Sequence, residues 1–121
     1  MPASYRIDKS LGLVFTKGEG VLTGQDIRTH ELRLREDPDF DPSYNQLIDL
    51  RDVIEFAAST EEMRTISTYH ISNEKSRRAI VAEKDAHFGM ARMYEMLRGV
   101  KPDQITVFRD MAEARHWLGL D

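Results

Sequence analysis

Gln46-Leu47-Ile48-Asp49-Leu50-Arg51-Asp52 runs an apolar, strand-like stretch straight into a charged pair, and Ser59-Thr60-Glu61-Glu62 comes next as a helix start. The acids of that start sit in the first turn, where the helix dipole favours negative charge, and Ser59 or Thr60 can cap the free N–H groups. A strand over 46–50, a turn at Arg51-Asp52 and a crossover helix describe one unit of an α/β fold. The functional edge of such a fold lies where its parallel strands end.

The same alternation extends in both directions. Toward the N-terminus, Tyr5–Asp8 and Leu13–Thr16 read as two strands of a hairpin turning through Lys9-Ser10-Leu11-Gly12, after which Gly18 and Gly20 loosen the backbone. Thr23 with Asp26 three residues on approaches a capping box, and the helix it opens runs to about Glu36, with Ile27, Leu32 and Leu34 as its apolar stripe. Asp37-Pro38 ends it, because a residue before proline is pushed out of the α region. In the helix after Ser59, Met63, Ile66 and His70 are expected to share a face.

Toward the C-terminus, Arg77–Glu83 holds the run Ala79-Ile80-Val81-Ala82, typical of a parallel strand covered on both faces. Asp85 is expected to cap a third helix, with Ala86, Met90, Met93 and Leu97 inward and Phe88, Ala91 and Tyr94 widening the face. Gly99 stops it, Lys101-Pro102-Asp103 turns the chain, Ile105–Phe108 is the last strand, and Met111–Leu118 the last helix, with Ala114, Trp117 and Leu118 facing in. Five strands, an N-terminal hairpin and four helices are expected in one α/β domain over residues 1–121.

Composition narrows the function. With 121 residues, 40% hydrophobic and 31% charged, the chain suits one folded core. The absence of cysteine removes thiolate ligands, disulfides and a cysteine nucleophile. No stretch approaches the length a membrane helix needs, and the N-terminus has no leader pattern, so a cytoplasmic location is expected. A net charge of −4, with Lys75–Arg78 as the densest basic cluster, argues against a nucleic-acid partner.

The candidate chemistry is sparse. His30, His70, His87 and His116 lack the spacing of a metal site, and Gly18-Glu19-Gly20 and Gly89 match neither the dinucleotide nor the P-loop pattern, so no metal or cofactor is expected. Asp49, Asp52 and Asp110 fall at strand ends, where carboxylates could act as acids or bases; helix capping and pairing with Arg51 and Arg109 explain them more simply. Phe88, Met90, Met93 and Tyr94 could line an adaptable apolar pocket, although their spacing is also that of a core.

Several stretches together resemble the SpoIIAA-like branch of the STAS domains: Tyr5-Arg6-Ile7 leading to Gly12-Leu13-Val14, Leu47–Val53, Phe88–Tyr94, and Val107-Phe108-Arg109-Asp110 through Trp117-Leu118. The resemblance spans nearly the whole chain. It implies a mixed sheet backed by helices and a regulatory protein-interaction role without catalysis. In the bacterial antagonists of this family an Asp-Ser-Ser tripeptide at a helix start carries a phosphorylation switch. Here Ala57-Ala58-Ser59 falls on it, so the usual acceptor is alanine and only Ser59 or Thr60 could serve late. The fold is also grouped with lipid-binding Sec14-type domains, which keeps an apolar ligand in play.

The sequence supports three functional expectations. The first is a docking face for a protein partner, made by Arg51, Asp52, Ser59, Thr60, Glu83, Asp85 and Arg109. The second is a small-molecule or lipid site between the third helix and the sheet, at Phe88, Met90, Met93 and Tyr94. The last is an enzyme using Asp49, Asp52 or His87, which requires those groups to converge in one cleft. An open edge strand would also permit a homodimer.

Overall fold

The fold is taken from a computed structural model, which describes residues 2–99 and 104–121. The expected turn at Lys101-Pro102-Asp103 lies outside them. One five-stranded mixed sheet is built in chain order from β1 (Ala3–Asp8), β2 (Leu13–Thr23), β3 (Asn45–Ala57), β4 (Arg77–Val81) and β5 (Gln104–Phe108). β1 pairs antiparallel to β2 as the expected hairpin, and every later pairing is parallel. The helices are α1 (Gly24–Glu36), α2 (Thr60–Ile66), α3 (Asp85–Arg98) and α4 (Met111–Trp117). Among the described residues no helix is long and apolar enough to cross a membrane.

Because the strand order steps steadily in one direction, crossovers of one hand deliver α1, α2 and α3 to the same face. There Met63, Ile66, Ala91 and Tyr94 pack with Leu22, Leu50, Val53, Ile80 and Val107. α4 covers the opposite face alone, with Ala114 and Leu118 on Leu13, Leu47, Ala79 and Val81. Both Thr23 and Ser59 form complete capping boxes, with Asp26 and Glu62 respectively.

The largest departure from the expected pattern lies between β2 and β3. Arg51-Asp52 is not a turn, and Gly18 and Gly20 do not end β2; both strands continue, paired to one another, as far as Thr23 and Ala57. The register slips twice, Lys17 facing Asp49 while Glu19 faces Asp52, and Gly20 facing Val53 while Val21 faces Glu55. Each slip is an extra residue in β3, a bulge, which is rare between parallel strands. The bulges turn period 2 into period 3, so Leu50, Val53 and Phe56 all reach the helix-side core. Gly18 makes room for them, since a Cβ there would stand 3.0 Å from Leu50 Cδ2 and 3.2 Å from Val53 Cγ2.

Two helix details also change. Asp85 does not cap α3: Lys84 holds the N-cap position without a side-chain bond, while the Asp85 carboxylate pairs with Arg109. The most buried stripe of α3 is His87, Ala91, Tyr94 and Arg98, and Ala86 is exposed. α2 ends at Ile66, which leaves His70 in the following loop.

Candidate functional site

Beneath α1, α2 and α3 the helix-side core is not filled. An apolar cavity of about 100 Å³ lies between those helices and the sheet, walled by aliphatic side chains such as Leu22, Ile48, Leu50, Met63 and Ile80. Its roof is α3, where Ala91 is short and Met90 and Tyr94 flank it. Of the four residues expected to line a pocket, Met90 and Tyr94 border this space; Phe88 and Met93 pack against the core without lining it.

One pole of the cavity is polar. Gln46 Nε2 donates to Thr16 Oγ1 at 2.8 Å, and Thr16 Oγ1 lies 3.3 Å from His30 Nε2. Burial, followed by the neighbouring Arg33 charge, depresses the His30 pKa from 6.5 to about 4, so the imidazole is neutral near pH 7. Thr16 Oγ1 thus joins the Gln46 amide to the His30 ring, accepting from the first and sharing one proton with the second. The ring also meets Tyr5 edge-on at 5.6 Å. Burial, assisted by a 2.8 Å hydrogen bond to Asp37, raises the Tyr5 pKa to about 12.

Arg78 also lines the cavity. Its Nη2 donates to the Tyr94 hydroxyl at 3.1 Å, and Arg98 Nη1 donates to the same oxygen at 3.3 Å. Both arginines are buried, and neither relies on Tyr94 alone.

A second cluster forms at the carboxyl rim of the sheet. Asp49 aligns with Val81, and Val81 with Phe108, which sets Arg51, Glu83 and Arg109 just beyond one line across three strands. Arg51 grips Asp49 through Nε and Nη2, both at 2.9 Å. Burial acts to raise the Asp49 pKa, but the Arg51 side-chain and backbone hydrogen bonds outweigh it and hold the carboxyl below its usual range. Lys17 pairs with Asp52 at 3.0 Å. Arg109 pairs with Asp85 at 2.7 Å, donates to the Glu83 carbonyl at 3.3 Å and lies over the Phe88 ring at 4.2 Å.

Ser59 and Thr60 are not in this cluster. The β2–β3 ribbon carries them to its far end, where Ala57 pairs with Thr23 and the Ser59 hydroxyl accepts the Glu62 N–H at 3.1 Å. Asp49, Asp52 and His87 do not converge either: the carboxylates pair with Arg51 and Lys17, while His87 stacks edge-on against Phe56 at 5.3 Å among the helices. Among the described residues no group of three or more His, Asp or Glu is placed to hold a metal ion.

Sequence reasoning did not single out Gln46, Thr16 or His30 as a group. They come from three elements, and the only local signal is a polar residue at a helix-facing position of an otherwise apolar strand, which Gln46 and Thr16 each provide.

No protein-family model matches the sequence. A search of curated proteins likewise returns no match. Among solved structures the chain is similar to an uncharacterized protein of the DUF3478 family with a SpoIIAA-like fold from Shewanella loihica PV-4, at a TM-score of 0.59 and 19% identity, over 96% of this chain and 93% of that one. The chain therefore has a SpoIIAA-like fold.

Proposed function

We propose that this SpoIIAA-like, STAS-type module acts by binding rather than by catalysis, and that it encloses a small apolar molecule between its helices and its sheet. The cavity carries this reading. Protein interiors are close-packed, with few voids larger than a water molecule. The space found here is lined mainly by apolar atoms and is partly open, which leaves a way in for an apolar occupant.

Toluene titrated into methyl-labelled protein tests the reading. Saturable shifts are expected at the methyls of Ile48, Ile80 and Met90, and none at Met111 on the opposite face. Ala91→Leu fills the roof and is expected to abolish them. A wild-type protein without saturable shifts, or an Ala91→Leu protein that keeps them, would count against an internal site.

Protein docking at the carboxyl rim is the second reading, favoured by the gathering of Arg51, Asp52, Glu83, Asp85 and Arg109 along one edge. Charges so placed set partner choice and association rate more than affinity. A partner recovered from lysate should be lost on Arg51→Glu with Arg109→Glu and kept by Ala91→Leu. Retention by the charge-reversed protein would remove this reading. Ser59 and Thr60 belong to it only through a partner broad enough to span the ribbon as well.

A further inference from the structure

Gln46 is 4% exposed and faces the cavity, yet only half of its amide is used within the protein. Nε2 is bound to Thr16, while Oε1 accepts no hydrogen bond from the described residues. That oxygen is not sealed off: Glu95 Oε1 is the buried side-chain atom without a hydrogen-bond partner among the described residues, so Gln46 Oε1 stays open to whatever fills the cavity. Thr16 Oγ1 is engaged with Gln46 Nε2 and His30 Nε2 and makes no hydrogen bond to Oε1. Of this polar group Gln46 Oε1 is the acceptor left open at the cavity, whose other polar lining residues, Glu31, Arg78 and Tyr94, are already paired.

We infer that the occupant of this cavity is an uncharged molecule about the size of one six-membered ring, carrying one hydrogen-bond donor that is received by Gln46 Oε1. Phenol and small alcohols belong to this class. The inference rests on the cavity being a ligand site and adds the chemistry of what it selects. Size comes from the volume: apolar cavities of roughly 150 Å³ take up benzene, whereas sites for drug-sized ligands run to about 300–1,000 Å³. An acyl chain of membrane-lipid length does not fit the space of about 100 Å³ found here. Neutrality comes from the walls. The charged side chains that reach the cavity, Glu31 and Arg78, already have partners, so a carboxylate or ammonium would be desolvated without a free counter-charge.

The test titrates phenol, toluene and benzaldehyde into the wild-type protein and into Gln46→Met, which keeps volume and removes the acceptor, with Gln46→Leu as a second variant. Raw affinities reflect how poorly each probe is hydrated, so the informative quantity is the change on substitution. Phenol is expected to bind at least about fivefold more weakly to the variants, and toluene to change by less than about twofold. In wild-type protein, the ¹³C shift of the Gln46 side-chain carbonyl should move with phenol and not with toluene, a readout independent of how either variant folds. Equal losses for phenol and toluene would overturn the inference. So would a selective loss of benzaldehyde, which accepts only and would mean that the amide is turned the other way. If toluene binds and phenol shows no dependence on Gln46, this inference fails while the cavity remains a ligand site; if wild type binds none of the three, both fail.

Discussion

His30 shows how a single residue links the cavity to stability. Its folded pKa of about 4 lies well below the 6.5 of a solvated imidazole, so between those values the unfolded chain binds a proton that the folded chain refuses. The contribution is fully present above pH 6.5 and is lost as pH falls toward 4. At 1.36 kcal/mol per unit, the shift of 2.5 sets an upper bound of about 3 kcal/mol. Unfolding free energies from urea titrations at pH 7, 5.5 and 4 should therefore fall more steeply for wild type than for His30→Asn, and the two curves should converge at the acid end; parallel curves would show that the imidazole is not held neutral. At this scale the sequence was only partly legible. Met90 and Tyr94 could be marked as pocket candidates because helical spacing places them on an inward face. Gln46, Thr16 and His30 could not, because their meeting depends on β2, β3 and α1 being brought together, and no local pattern records that.

The β2–β3 ribbon carries the corresponding lesson for elements. An apolar pattern of period 2 identifies an ordinary strand, and it stops after Leu50 in this chain. The continuation through Leu50, Val53 and Phe56 has period 3 and reads as neither strand nor helix until the two bulges are known. The elements with regular period or clear caps were legible: the hairpin, α1 with its Thr23 box, the start of α2, β4 and α4. The α3 stripe was harder to place because His87 and Arg98, two polar residues, occupy buried positions that apolar counting passes over. The ribbon makes a direct prediction. Gly18→Val sets branched carbons where a Cβ alone would already be tight against Leu50 and Val53, and should destabilise the protein by about 1–3 kcal/mol in denaturant titration. The same change at Gly89, where a Cβ meets nothing within 4 Å, should remain within about 1 kcal/mol. Equal losses at both sites would mean that helix and strand propensity, not close packing, sets the cost.

At the scale of the whole molecule the two faces of the sheet are unequal. Three helices cover one face, while α4 alone covers the other, and it shields β3, β4 and β5 more fully than the β1 side. The uncovered part is polar: Ser4 and Arg6 are exposed, and the Arg6 guanidinium lies 4.0 Å above the Phe15 ring, shielding it without a further helix. Under α4 no such substitute exists. Leu13, Ala79 and Val81 are at most 1% exposed, and the cover over this face comes from Met111, Ala114, Trp117 and Leu118, with Arg77 stacked on Trp117 at 4.3 Å. Removal of a large buried apolar side chain costs about 2–5 kcal/mol, so losing several together exceeds the roughly 5–15 kcal/mol that holds a domain folded. A chain ending at Asp110 should accordingly lose its cooperative thermal transition, whereas Ser4→Ala on the open side should change stability by less than about 0.5 kcal/mol. Trp117→Ala, which keeps the rest of α4, is expected to fall between them at about 3–5 kcal/mol. A cooperative transition in the truncated chain, monitored by calorimetry, would show instead that the three-helix side is sufficient to hold the sheet, and that α4 is an appended layer rather than half of the core.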